Sequence, residues 1–529
     1  MRNLLIILGL AVLAVQAGSA QDYADMVVAP AVTSKAELEA QLNPLPKSTL
    51  AKYMERIGRT NTYAEMEGQN AFLQQYAEAE KNFMVGAGYP VDQGSEDLFG
   101  EGFVDGAYTV HQAAITSIDA YALRLHVDLS QLQDGEEVWV VDLTGPRAFG
   151  PFTAADNTDD GRWLPTTEGE SCVLMVRSAT GSLPEVRLIE FSHFFRSFEQ
   201  TLKALSCNNN INCDSTTAVQ TASTGVGMIV IPSGSGDSAL CTGSLINNAD
   251  TAALEPYFLT SAHCVPETAS ASGVDIVWDW RSTSCANYTP PSLSGMPRSN
   301  GVKMLASSGT YDLTLMQLDT VPSGTNGRAY LGWDVRDPIV NEPIIAIHFP
   351  AGTAQRISYG TVVSIDQTFD SYQNETKVHW DDGVTEGGSS GSPLLFVNSS
   401  YRITGTLSGG PTHSCSNTTG NVDWYTSLRD FYSQIQDYLT GTTPPDPGSD
   451  PSTGCAAAKA FVDNPQVLQD LRALRDEALV KTSWGKSLVD AYYANSPKVA
   501  TAVDESPSAR TAFRLMAAPF AALGGLLSR

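Results

Sequence analysis

The chain has 529 residues, a formal net charge of -26, 42% hydrophobic and 17% charged residues. The length allows roughly three or four domains, each able to bury a core. The acidic balance excludes a nucleic-acid partner, which needs clustered Lys and Arg, and reads as a soluble, self-repelling surface.

Residues 1–20 read as a secretory signal: Arg2 leads, an apolar core runs from Leu4 to Val15, and small residues follow to Ala20. That core is too short to span a bilayer, and no internal run reaches about 18 apolar residues, so an exported protein without a transmembrane span is expected. Export permits disulfides. The cysteines are Cys172, Cys207, Cys213, Cys241, Cys264, Cys285, Cys415 and Cys455.

Residues 21–206 form an N-terminal region of mixed α and β character without an obvious site. Helices are predicted over Lys35–Leu42 and Tyr63–Phe83. From about 111, short alternating runs separated by Asp-Gly, Gly-Pro and Thr-Gly turns predict a small β-sandwich over about 111–198. Residues 207–440 are strand-like again, with a helix plausible only at Leu428–Tyr438, and suggest a sandwich or barrel. Residues 441–454 read as an extended Pro-rich linker. Residues 455–529 are alanine-rich with helical periods at Val467–Val480 and Gly485–Ala494, which predicts an α-helical C-terminal module. Its last apolar stretch, Leu515–Leu527, reads as a packed helix or a sorting tail.

Three stretches carry chemistry. Glu386-Gly-Gly-Ser-Ser-Gly-Ser-Pro393 places serines among glycines just before an apolar strand, where a tight backbone lets a substrate carbonyl approach. Alone it is a flexible loop. Tyr257-Phe-Leu-Thr-Ser-Ala-His-Cys264 ends a strand on a histidine, a side chain whose pKa suits a general base. Alone, His263 reads as structural. Tyr311-Asp-Leu-Thr-Leu-Met-Gln-Leu318 opens a strand on an acid that either caps a turn or steadies an imidazole. Together, in the order His263, Asp312, Ser390, they match the order of chymotrypsin-like serine proteases.

Within that family the chain resembles the bacterial lysyl endopeptidases, through Cys241-Thr-Gly-Ser-Leu-Ile-Asn-Asn248, Phe258–Cys264, Ala346-Ile-His-Phe-Pro350, Thr385–Pro393 and Leu407-Ser-Gly-Gly-Pro411. The resemblance covers about 207–440. It implies a trypsin-like, all-β catalytic domain of two six-stranded antiparallel barrels, with Ser390 as nucleophile, His263 as base and Asp312 as orienting acid. It further implies an oxyanion hole from the N–H groups of Gly388 and Ser390, and substrate pairing along Gly409. The implied disulfides are Cys207 with Cys415, Cys213 with Cys285, and Cys241 with Cys264; the sequence alone permits fifteen pairings of six cysteines. Cys172 and Cys455 are left over, with a mutual bridge, a free thiol or processing all open.

Asp423 matches the pocket acid of lysyl endopeptidases, although its spacing from Cys415 is about one residue shorter, and Ser408 stands where those enzymes have histidine. Cleavage after Lys or Arg is therefore expected, on protein or peptide substrates. Ser389 replaces the aspartate through which trypsins are switched on, so residues 21–206 are expected to act as a propeptide of a zymogen. The C-terminal segment, from Gly454-Cys-Ala-Ala-Ala, weakly resembles the CFI-box domains of exported bacterial proteins, which implies sorting or retention at the cell surface. A monomer with no metal and no organic cofactor is expected, because His, Cys and acids do not cluster at ligand spacings. Two rival readings are a catalytically silent protease-like binding or adhesion protein, and an active protease with non-basic specificity.

Overall fold

The computed structural model describes residues 23–440 apart from 32–34, 43, 78–82, 199–203, 234, 250–253 and 417, together with 467, 514 and 517. The stretches read as signal and linker and, single positions apart, the predicted C-terminal helical module lie outside the described residues. What is described is mostly β, as the short Val- and Ile-rich runs dictate.

After two short strands, Tyr23–Ala24 and Val27–Ala29, come α1 (Lys35–Leu42), α2 (Lys47–Met54), β1 (Arg59–Tyr63) and α3 (Asn70–Ala77). Among the described residues of 63–83, the helix is α3. Tyr63 belongs to a strand that pairs in parallel with Tyr108–Ser117, and Gly68, at φ +71, turns the chain before α3 begins. At the far end Phe83 opens a strand instead of closing a helix.

The longer strands that follow are β2 (Phe83–Gly94), β3 (Tyr108–Ser117), β4 (Ala122–Asp128), β5 (Glu136–Asp142), β6 (Arg147–Phe152), β7 (Ser171–Ser178) and β8 (Arg187–Phe194). One sheet runs β1-β3-β7-β5-β6, and β2-β8-β4 form part of another. Ile115, Val140 and Leu174 of the first share a core with Leu125 and Phe191 of the second. Each such buried side chain contributes about 1.5–3 kcal/mol. The two faces therefore close as a sandwich.

Further along lie α4 (Thr217–Ser223), β9 (Val226–Ser233), β10 (Asp237–Leu245), β11 (Tyr257–Thr260), β12 (Asp275–Val277), β13 (Arg298–Asn300), β14 (Val302–Ser308) and β15 (Leu313–Leu318). Pairing runs β12-β9-β10-β11-β15-β14. Gly301, at φ +108, joins β14 to β13, which pairs with β12 and brings the path back to its start. After two short strands, Arg328–Tyr330 and Trp333–Asp334, come β16 (Pro343–His348), β17 (Arg356–Phe369), β18 (Tyr372–Asp382), β19 (Pro393–Phe396), β20 (Arg402–Gly409) and β21 (Val422–Tyr425). They pair β16-β17-β18-β21-β20-β19, and β19 returns to β16 in a closed six-strand ring. Helix α5 (Leu428–Leu439) buries Leu428, Phe431, Ile435 and Leu439, the spacing of one helical face. Val230 and Leu259 from the earlier strands, Ile345 and Leu395 from the later ones, and Phe431 share one core.

Strand β2 is added to the edge of β10, with Ala239 opposite Met84 and Leu240 opposite Phe83. The N-terminal sandwich and the strands after 207 therefore share a sheet. Across the same seam the fully buried Arg124 of β4 donates to the carbonyls of Leu164, Val230 and Gly273. Disulfides join Cys207 to Cys415, Cys213 to Cys285 and Cys241 to Cys264. Cys172 is a buried free thiol, which burial pushes up to about 12.

Candidate active site

His263 stands just past the end of β11, a strand held between β10 and β15 and buried along its whole length. The next residue, Cys264, is tied to β10 through Cys241, so the turn carrying the imidazole is fixed at both ends. Asp312 opens β15 from a left-handed conformation, φ +49, which Asp tolerates better than bulkier residues. That twist aims a fully buried carboxylate back at the turn. Oδ1 accepts the backbone N–H of His263 at 2.7 Å, and Oδ2 accepts Nδ1–H of the same residue at 2.7 Å. The Asp312 carbonyl also accepts from Ala262 N. Because Nδ1 carries the proton it donates to the carboxylate, the lone pair of the neutral ring is left on Nε2, the form a general base requires. The Tyr372 ring stacks against the imidazole, 6.4 Å between centroids.

The loop 386–393 is locked from several sides. Ser390 O accepts Thr242 N at 2.7 Å, and Gly388 O accepts Thr242 Oγ1 at 2.9 Å. Gly391 N donates to Leu407 O at 2.9 Å. Two glycines are required by geometry. Gly388 has φ +91 and its Cα faces the Phe349 carbonyl, while Gly391, at φ +79, leaves no room for a Cβ beside Thr260 Oγ1 and the Thr242 carbonyl. The loop bearing Ser390 is thereby seated against Thr260 and Ser261, the residues that lead into His263. Ser389 points the other way. It is fully buried, and its hydroxyl joins His348 Nδ1 at 2.8 Å and accepts Glu386 N–H at 3.1 Å. Burial drives the His348 imidazole down to about 3, so it is a neutral hydrogen-bonding strut.

Asp423 lies in β21 and is fully buried. Its Oδ2 accepts from Trp380 Nε1 at 2.5 Å and Thr385 Oγ1 at 2.6 Å. Its Oδ1 faces His413 Nε2 at 3.2 Å, and Gly410 passes so close to Oδ1 that a Cβ there would collide with it. Gly409, at φ +146, pairs with Trp424, whose ring stacks on Phe369 at 4.7 Å. Ser408 is buried beside the carboxyl of Glu375. Burial pushes Glu375 up to about 8, with the Ser408 hydroxyl opposing the shift and Asp312 adding to it.

The structure thus brings His263 and Asp312 into direct contact, seats the Ser390 loop against the strand end that carries them, and sets Asp423, Ser408 and Gly409 on adjoining strands β20 and β21. Sequence reasoning missed His348, Glu375 and His413. His348 lies inside the quoted Ala346–Pro350 stretch, where a polar residue ending an apolar run was the available signal; Glu375 and His413 give none. The sulfurs of Cys241 and Cys264 lie close to the His263 ring, but they are joined to each other and offer no thiolate to a metal.

Residues 202–426 match the family model described as lysyl endopeptidase, C-terminal domain. The lysyl endopeptidase of Pseudomonas aeruginosa is 31% identical over 294 residues, covering 52% of this chain and 63% of that protein. The chain therefore spans less than two thirds of that curated relative. Among solved structures, the HtrA-type protease AlgW with tripeptide is 14% identical and aligns with 42% of this chain and 63% of its own, at a TM-score of 0.30. The Rv3671c protease from M. tuberculosis, active form, is 13% identical over 45% of this chain and 90% of its own, at a TM-score of 0.31.

Proposed function

From the similarity of residues 202–426 to chymotrypsin-like serine proteases of the lysyl endopeptidase type, we propose that the protein is an exported serine endopeptidase that cuts peptide bonds after Lys or Arg. The observation that carries this reading is the buried Asp312 carboxylate bound twice to His263, once at the backbone and once at Nδ1, beside the glycine-locked loop of Ser390. The catalytic part takes the two-barrel arrangement, with the pairings before and after about residue 320 forming its halves.

The chemistry follows from these positions. Nε2 of His263 takes the Ser390 hydroxyl proton as Oγ attacks the scissile carbonyl, and Asp312 stabilises the imidazolium that forms. The carbonyl oxygen, now negative, is received by the N–H groups of Gly388 and Ser390, worth roughly 2.7–4 kcal/mol per donor. The imidazolium then hands its proton to the leaving amine. Water, activated by the same ring, attacks the acyl-enzyme and releases Ser390. The substrate lies along Gly409 as an added strand, and a basic side chain reaches Asp423, which as a buried carboxylate disfavours an apolar occupant.

Residues 21–206 serve in this reading as a propeptide. Strand β2 pairing with β10 supports it, as does Phe83, which packs on Gly387 immediately ahead of the oxyanion loop. Residues 1–20 direct export, and 455–529 act in sorting or surface retention.

Peptide esters ending in Lys, Arg and Glu, offered to the wild type and to Ser390→Ala, test the function. Turnover of the basic esters by the wild type alone is expected. No turnover by a processed wild type would point to a silent binding protein, and cleavage after Glu alone would remove Asp423 from the pocket. N-terminal sequencing of the active secreted species tests the propeptide, which a first residue near Gln21 would refute.

A further inference from the structure

A pocket acid that selects a cation needs one carboxylate oxygen kept for the substrate. In Asp423 that oxygen is Oδ1: Trp380 and Thr385 both bond to Oδ2, and Oδ1 accepts no hydrogen bond among the described residues. Yet Oδ1 is not alone. His413 Nε2 sits 3.2 Å away, too poorly angled for a hydrogen bond, and it too has no hydrogen-bond partner among the described residues although it is buried. Two buried polar atoms, one acidic and one basic, thus face each other without bonding. Gly410 passes against the same Oδ1 with no side chain between them, and in the pocket reading Oδ1 is the atom an entering ammonium has to reach.

We propose that His413 is a specificity-determining residue that gates the pocket by its charge: as imidazolium it holds Oδ1 of Asp423 and turns a basic side chain away, and as neutral imidazole it yields that oxygen to the substrate. This rests on the reading of Asp423 as the pocket base. The groups that face His413 are Asp423 and the Val422 backbone oxygen on β21, Glu386 at the head of the nucleophile loop, and His348 on β16. His348 is neutral, as its burial requires. Burial alone would disfavour charge on His413, but the close approach of the Asp423 carboxylate, with Glu386 and the Val422 backbone oxygen adding, outweighs it and raises the imidazole above its ordinary value. A substrate lysine, near pKa 10.4 when free, keeps its charge across the same range. Only the receptor titrates.

The test is the ratio of kcat/KM for a lysine ester to that for its uncharged norleucine counterpart, from pH 5 to 9. Any pH effect on the bond-making steps is common to both esters and cancels in the ratio, and burst titration counts folded sites in each variant. In the wild type the ratio should rise on the order of tenfold, the effect of one pKa unit of coupling, with its midpoint above pH 6.5. In His413→Gln it should be high and flat. A wild-type ratio that is high at every pH, or a step that survives in His413→Gln, overturns the gate while leaving the pocket assignment intact, provided Asp423→Asn lowers the ratio. A ratio near one at every pH in both wild type and Asp423→Asn overturns the pocket assignment and the gate with it.

Discussion

Replacing Glu375 by glutamine should stabilise the folded protein near neutral pH, although it removes nothing but a charge the native state does not carry. The side chain is buried in β18, and its two carboxylate oxygens have no hydrogen-bond partner by geometry among the described residues. Burial raises its pKa from 4.5 to about 8. The unfolded chain ionises this group above about pH 4.5, while the folded chain keeps it protonated. Between those values the unfolded state binds fewer protons, so stability falls as pH rises. At pH 7 the cost is about 2.5 pH units at ~1.36 kcal/mol each, or roughly 3 kcal/mol, and it levels off at roughly 5 kcal/mol above pH 8. Glutamine, isosteric with the protonated acid, escapes that cost. Urea unfolding at pH 4, 5.5, 7 and 8.5, done in a Ser390→Ala background to prevent self-digestion, measures the stability difference made by the Glu375→Gln substitution. A difference that stays constant across that range would refute the reasoning, because it would mean that Glu375 ionises in the native state as readily as in the unfolded one.

Three other substitutions probe the site. Asp312→Asn should leave the fold intact and lower kcat by about 10⁴, because an amide in place of Oδ2 no longer fixes the Nδ1–H tautomer; ester kinetics beside circular dichroism check both halves. Gly388→Ala forces a side chain into φ +91 and to within 2.8 Å of the Phe349 carbonyl, so kcat should drop about 10²–10³ with KM little changed. Removing the Cys241–Cys264 bridge by a double Ser substitution opens a loop of sequence separation 23. That should cost about 3 kcal/mol in chemical denaturation, and activity should fall further than stability because His263 adjoins the lost anchor.

The candidate residues were legible because each sits at a strand end, His263 just past Tyr257–Thr260, Asp312 just ahead of Leu313–Leu318 and Ser390 just ahead of Pro393–Phe396. Ordered spacing then did what no single motif could. The helix read into 63–83 failed for the opposite reason: the fate of Phe83–Gly94 depends on β10, some 150 residues further on, and local periodicity holds no trace of that partner. The glycines of β2 were the overlooked sign, since Gly88 passes so close to the Ser235 carbonyl that no side chain would fit. His413 and Glu375 escaped notice because a lone polar residue in a strand or loop looks solvated until the fold buries it. Their placement beside Asp423 and Ser408 comes from the return of β20 onto β21 and β18, which no stretch of sequence announces.

The shared sheet between β2 and β10 has a bearing on the propeptide reading proposed above. While the chain is continuous, the sandwich meets its docking edge at the effective concentration of a tethered segment, in the millimolar range for a short linker. Once the connection is cut, the same strand pairing becomes a reaction between two molecules and weakens with dilution. On that reading, a cut would leave the two pieces paired where they are concentrated and let them part on dilution, so that dilution and not the cut alone would uncover the site.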